Sequence, residues 1–331
     1  MKNRRQISGA IPAICAMMII ILDTKTAITG AIEGISLCIW TVLPSLFPFF
    51  ILSGIINSNL LGVSIRPLRP VIKLCKIPEG GESLLILGYL AGYPVGAQLI
   101  TQEYRNGKLS EKTAHRMLGF CNNAGPAFLF GMLSPLFENP IAVWLLWGIH
   151  IISGLLVGLI LPGEANNRCA INRTVPVSLP KAIQNALKVL AFVCGWVITF
   201  RIILAFFNRW FLLQFPTDLQ VLLCGLLELA NGCIMLGEIP LTGLRFIMAS
   251  FMLSFGGLCV GMQTISATEG LGSGYYFPGK VLQAFFAVLI SYCLQIFIFT
   301  SSELFLVNNY MIALFVIFLL LHVLLLRRKK L

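Results

Sequence analysis

The stretch Leu84-Leu85-Ile86-Leu87-Gly88-Tyr89-Leu90-Ala91-Gly92-Tyr93-Pro94-Val95-Gly96-Ala97-Gln98-Leu99-Ile100 decides how this chain folds. It is apolar enough to enter a membrane but shorter than the roughly 20 residues a helix needs to cross about 30 Å of hydrocarbon. Its middle carries Gly88, Gly92, Pro94 and Gly96. Glycine opens left-handed backbone and proline fixes φ while removing a donor, so the segment is expected to break and reverse there. Arg66, Arg69, Lys73 and Lys76 stand upstream, and Arg105, Lys108, Lys112 and Arg116 downstream. Basic residues collect on the cytoplasmic side. A segment with both ends on that side dips in and returns as two half-helices. Irregular backbone at membrane depth survives only where protein buries it or a watery cavity reaches it.

The rest of the chain has the composition of a membrane protein. Of 331 residues, 57% are hydrophobic and 11% charged, and the mean hydropathy is +0.88. A soluble domain carries about a quarter charged residues. The net charge of +11 does not indicate nucleic acid, because Lys and Arg sit at segment ends and are not interleaved with aromatics on one polar face. The ten cysteines are scattered through apolar runs without a C-x-x-C, as small packing residues are. His115, His150 and His322 lie too far apart to suggest a metal site. Lys2, Arg4 and Arg5 precede the apolar run Ile7–Leu22. No small-residue cleavage signal follows, so this reads as an uncleaved first helix.

Spans are expected at Ile7–Leu22, Ala31–Ile56, Arg116–Phe137, Ile141–Leu161, Ala182–Phe207, Leu241–Met262, Lys280–Thr300 and Leu304–Leu326. One more short stretch, Leu219–Gly237, has flanks poor in basic residues, with Asp218 and Glu238, and is read as entering from the outside. Both termini are then cytoplasmic, the last ending in Arg327-Arg328-Lys329-Lys330. All Lys and Arg except Lys25, Arg201, Arg209 and Arg245 fall inside. The fold expected is an all-α polytopic membrane protein of about eight transmembrane helices plus two re-entrant hairpins in an inverted repeat. Its parts are an N-terminal helix (1–30), a first repeat (31–162), a cytoplasmic loop (163–181), a second, inverted repeat (182–303) and a C-terminal helix with a basic tail (304–331). Inverted repeats place their binding site near the midplane, between discontinuous helices.

Residues able to serve such a site cluster at the expected breaks. Tyr93 can stack on a planar ligand, Gly96 keeps the backbone close, and Gln98 can donate or accept a hydrogen bond. In Phe120-Cys121-Asn122-Asn123-Ala124-Gly125-Pro126, two amides in an apolar helix need partners, and Pro126 predicts unwinding over Asn123–Gly125. The half-helix that starts there turns its positive end inward, toward an anionic group; capping or helix–helix bonding by the two amides is the alternative. In the second half, Glu228, Asn231 and Gly232 occupy the hairpin tip. An intramembrane carboxylate is a functional candidate: it can bind Na⁺, carry a proton, or pair with Arg201 or Arg245. Ser254 and Gly256 mark the last break, as an unwound helix or a close-packing contact. There is no phosphate-binding loop, nucleophile elbow or zinc-protease helix, and the chain reads as a non-enzyme that needs no cofactor.

The turn Gly92–Gln98, the Phe120–Pro126 motif and Leu43-Pro44-Ser45-Leu46-Phe47-Pro48 together resemble the nucleoside-recognition "Gate" membrane proteins. Within these, the chain is most similar to the sporulation integral membrane proteins of spore-forming Firmicutes. The resemblance spans roughly residues 30–300. That family is distantly similar to concentrative nucleoside transporters, which implies paired hairpins and broken helices around a midplane site. Carried over, the first tip is Gly92–Gln98, the first unwound helix Asn122–Gly125, the second tip Glu228–Gly232 and the second unwound helix Ser254–Gly257. Spore members are implicated in moving dipicolinic acid, which implies a small planar anionic solute and transport by alternating access. A non-transporting scaffold of a spore-envelope assembly and a nucleoside or nucleobase transporter remain alternatives. The expected partners are the bilayer, a small-molecule solute, Na⁺ or H⁺, and a second copy of the chain, with no nucleic acid. In a background without native cysteines, Lys112→Cys should react with an impermeant maleimide only from the cytoplasmic face; labelling from outside would contradict the hairpin.

Overall fold

The computed structural model describes residues 2–60, 62–163, 176–240 and 242–298. The expected span Leu304–Leu326, the basic tail and His322 lie outside these. All regular structure among the described residues is helical. Among the described residues five helices are long and apolar enough to cross a membrane: Thr24–Leu60, Pro140–Ile160, Leu179–Trp210, Thr242–Ala267 and Tyr276–Gln295. The protein is an integral membrane protein, with Trp40, Trp144, Phe192 and Ile152 among the large apolar side chains left on its outside.

The chain opens with α1 (Lys2–Leu22) and turns at Asp23, whose carboxylate caps α2 (Thr24–Leu37) by accepting from Thr26 N–H at 3.2 Å. The second span therefore begins at Thr24, ahead of the expected Ala31. A π-helical turn, Cys38–Val42, joins α2 to α3 (Leu43–Leu60). Pro44 cannot donate to residue 40 and its ring crowds that carbonyl, and widening the turn by one residue accommodates it. After α4 (Arg69–Leu74) come α5 (Glu82–Leu90) and α6 (Val95–Arg105), packed on each other and joined by a turn with Gly92 at φ +85°.

The span expected at Arg116–Phe137 is not continuous. α7 (Glu111–Leu118) stops and seven residues run without helical structure before α8 (Pro126–Leu133) starts on its proline. Unwinding thus begins at Gly119, earlier than the Asn123 expected from Pro126 alone. The cause is tertiary. This segment lies on the glycines of the hairpin: a Cβ added at Gly88 or at Gly96 would come within 2.2 or 2.1 Å of the Cys121 carbonyl oxygen. Asn123 N–H donates to the Gly88 carbonyl at 3.0 Å. The backbone has exchanged its helical bonds for contacts with α5 and α6.

α9 (Pro140–Ile160) and α10 (Leu179–Trp210) are long and unbroken. α11 (Thr217–Leu227) and α12 (Leu229–Met235) meet at Glu228. α13 (Thr242–Phe255) and α14 (Gly257–Ala267) are parted by Gly256, at φ +84°, and α15 (Tyr276–Ile298) closes the described chain. The packing has a repeating order. α6 packs on α14, and α12 on α8; α3 packs on α8, and α10 on α14; α15 packs on α7, and α9 on α13. α2 and α10 run antiparallel in close contact, for Gly30 meets Ile202 and Ala205, Gly34 meets Ile198, and Cys38 lies against the Cys194 carbonyl.

Gly96→Ala should lower the melting temperature of purified protein, because forcing a methyl into a packed contact costs about 1–3 kcal/mol. Gly54→Ala, in helix α3 where an added Cβ meets nothing within 4 Å, should leave it unchanged or raise it. Equal effects would contradict the tight seat of Cys121.

Candidate functional site

The breaks in the helices come together. A small cavity of about 50 Å³ lies among Gly92, Tyr93, Gly125, Glu228, Leu229 and Gln263. One turn from the first hairpin, the end of the first unwound segment and the junction of α11 and α12 therefore share one space. Such a volume has room for a few waters and none for a ring. Beside it opens a vestibule of about 540 Å³ between α6, α10 and α14, lined by Gln98, Gln102, Arg105, Asn185, Lys188 and Gln263 among others. A third cavity, of about 440 Å³, is bounded by Glu138, Asn139, Thr242 and Arg245. The helix Thr242–Ala267 starts at this third cavity and ends at the vestibule, with its break at Gly256 between.

Tyr93 crosses from one half to the other. Its hydroxyl donates to the Leu253 carbonyl at 3.2 Å, one of the acceptors freed where α13 ends. Gly256 beside it, at φ +84°, has a backbone that side chains rarely adopt, and a Cβ there would stand a tight 3.2 Å from the Tyr93 hydroxyl. Gln98 is half-buried and faces the vestibule.

Asn122 and Asn123 are fully buried, and the structure uses both internally. Asn122 accepts from Ala97 N–H at 3.2 Å, near the start of α6, and donates to the Thr264 hydroxyl of α14 at 3.0 Å. Asn123 donates to the Phe120 carbonyl at 2.7 Å and accepts from Lys280 at 2.8 Å. Neither lines the cavity. Gly96 is likewise spent against Cys121, while Gly125 faces the cavity and touches Gly92.

Glu228 lines the cavity with its carboxylate committed. One oxygen accepts from Ala230 N–H at 3.0 Å; the other takes Asn231 N–H at 2.8 Å and the Asn231 amide at 2.6 Å. Arg201 does not reach it directly. Arg201 donates to the Asn231 carbonyl oxygen and pairs with Glu33 at 2.8 Å, tying α10 to α12 and α2. Arg245 binds the carbonyls of Ile239 and Leu136, away from Glu228.

Sequence reading missed the residues that join the two breaks. His150 of α9 accepts from Ala124 N–H at 3.2 Å through Nε2, so in the neutral ring Nδ1 carries the proton toward the Ser254 hydroxyl, 3.2 Å away. Gln283 of α15 donates to the His150 carbonyl at 3.1 Å and accepts from Lys280 at 2.7 Å. A polar chain thus runs Asn123–Lys280–Gln283–His150–Ser254. His150 and Gln283 stand in the middle of apolar spans, and that was the available signal; Lys280 read only as a boundary charge. Another missed cation is buried Arg116, whose guanidinium donates to the carbonyls of Leu161, Cys75 and Gly158 and closes the end of α9.

No family model and no solved structure matches the chain. It is similar to the "Sporulation integral membrane protein YlbJ" of Bacillus subtilis (strain 168), at 26% identity, covering 82% of this chain and 78% of that protein.

Asn122→Ala should lower the melting temperature, since it leaves the buried Ala97 N–H without its acceptor, at about 1–3 kcal/mol, and cuts the bond to Thr264 that ties the segment to α14. An unchanged melting temperature would show that the amide holds nothing together.

Proposed function

We propose that this protein is a transporter for a small planar anionic solute, dipicolinate-like, acting in sporulation by alternating access. One observation carries the reading: a single broken helix, Thr242–Ala267, runs from one large cavity to another, with its break beside a much smaller central space of about 50 Å³. Transporters of inverted-repeat design place discontinuous helices at a midplane site in this way. The paired packing of α6 on α14 and α12 on α8, with α2 antiparallel to α10, supports two inverted halves, with α5–α6 and α11–α12 as re-entrant hairpins. The relative's name supports a role in sporulation, and so does the resemblance to Gate-type proteins.

In this reading the vestibule, of about 540 Å³, admits the solute and the central space, of about 50 Å³, is too narrow to hold it in this state. Arg105 and Lys188 give the vestibule a basic rim against Glu269, suited to an anion. Opening the centre widens the small cavity, where Tyr93 stacks on the ring and Glu228 meets the coupling Na⁺ or H⁺. Asn122, Asn123 and Ser254 then act by holding the breaks in register.

The test is uptake by proteoliposomes holding the full chain. Wild type should accumulate dipicolinate above protein-free vesicles, and Tyr93→Ala should cut the rate at least tenfold while melting as a folded protein. Glu228→Gln should abolish the dependence on an ion gradient and spare downhill flow. Folded wild-type protein that moves no dipicolinate under either a Na⁺ or a proton gradient would contradict the transport reading and favour a scaffold.

A further inference from the structure

Lys280 is a fully buried charged residue that the proposed function leaves unused. It belongs to α15, is 1% exposed, and has its ammonium among groups that carry no negative charge. Its bonds go to two amide oxygens, Asn123 Oδ1 at 2.8 Å and Gln283 Oε1 at 2.7 Å. Two aromatic faces complete its surroundings, Tyr93 with its ring centre 5.2 Å away and Tyr276 at 5.9 Å. None of the ion pairs among the described residues involves it. A buried cation without a counter-charge is costly, and amides with ring faces offset only part of that cost. Packing alone is better served by methionine or leucine at such a place.

The position of the ammonium supplies the reason for keeping it. Tyr93 lines the central cavity, and Lys280 stands one side chain behind that wall. Glu228, the charged residue that lines the cavity itself, has both oxygens occupied. We propose that Lys280 is the anion-binding residue of the central site: when the halves move and the Tyr93 ring swings from its bond to Leu253, the ammonium meets a carboxylate of the solute. Tyr93 is then both the cover over the charge and the face on which the ring settles. Asn123 and Gln283 hold the ammonium in place until the anion arrives. The inference rests on the transport reading and adds to it the residue that recognises the carboxylate of the solute.

The experiment compares dipicolinate with its uncharged diamide, both offered to detergent-purified full-length protein and to proteoliposomes. Wild type should bind and move dipicolinate at least tenfold better than the diamide. Lys280→Met should erase that preference by losing dipicolinate alone, and Lys280→Arg should retain most of it. A purely structural lysine would lose both compounds together. Melting curves identify misfolded variants, and Lys280→Gln, which can still bond to Asn123, stands in if the methionine protein does not fold. A Lys280→Met or Lys280→Gln protein that keeps the tenfold preference overturns the assignment, as does parallel loss of both compounds in folded protein. Wild type that moves neither compound instead removes the transport reading on which the assignment stands.

Discussion

The structure depends on how closely an extended segment lies on a glycine-faced hairpin. The Cys121 carbonyl sits where Cβ atoms at Gly88 and Gly96 would be, and Asn123 N–H bonds to the Gly88 carbonyl. Inside a bilayer a backbone cannot give up its helical bonds unless others replace them. Here the replacements are built in: the hairpin supplies an acceptor at Gly88, Asn122 ties the segment to α6, and His150 receives Ala124 N–H. Any side chain larger than hydrogen at Gly88 or Gly96 pushes this backbone out. The breaks elsewhere then lose their partners, because Asn122 also holds Thr264 of α14 and His150 also holds Ser254.

The second half reaches a similar end by a different chemistry. Its hairpin turns on Glu228, whose carboxylate satisfies the first donors of α12, and its broken helix turns on Gly256 in the left-handed region. The first half unwinds over many residues and the second over very few. The two are joined by Tyr93 reaching Leu253 and by the polar chain from Asn123 to Ser254. These are hydrogen bonds between elements that the proposed transport cycle would have to move. Apart from the two bonds made by Lys280, they join neutral donors and acceptors, which can be remade with other partners at small net cost, about 0.5–1.5 kcal/mol per bond.

Much of this was legible in the sequence. The breakers at Gly92, Pro94 and Pro126 placed the hairpin turn and the first interruption, because glycine and proline act locally on φ and on donors. The Gly256–Gly257 pair placed the last interruption for the same reason. Gly119 as the start of unwinding was not legible, since what melts that helix is the approach of α5 and α6, which no local pattern encodes. The amides at Asn122 and Asn123 were rightly marked as needing partners, but their partners lie on α6, α14 and α15, far along the chain. Lys280 was hidden by its position: a lysine at the head of an apolar run reads as an interfacial charge, and only its packing beside Asn123 and Tyr93, far along the chain, buries it.

The central claim is that the two halves meet face to face at their breaks, with α8 of one against α12 of the other across the small cavity. It is tested most directly by a short bis-maleimide cross-link between cysteines placed at Phe128 and Ala230, in membranes and in a background without native cysteines. Both positions line that cavity. The account predicts an efficient intramolecular cross-link. Cysteines that both react with single maleimides yet never link would contradict it.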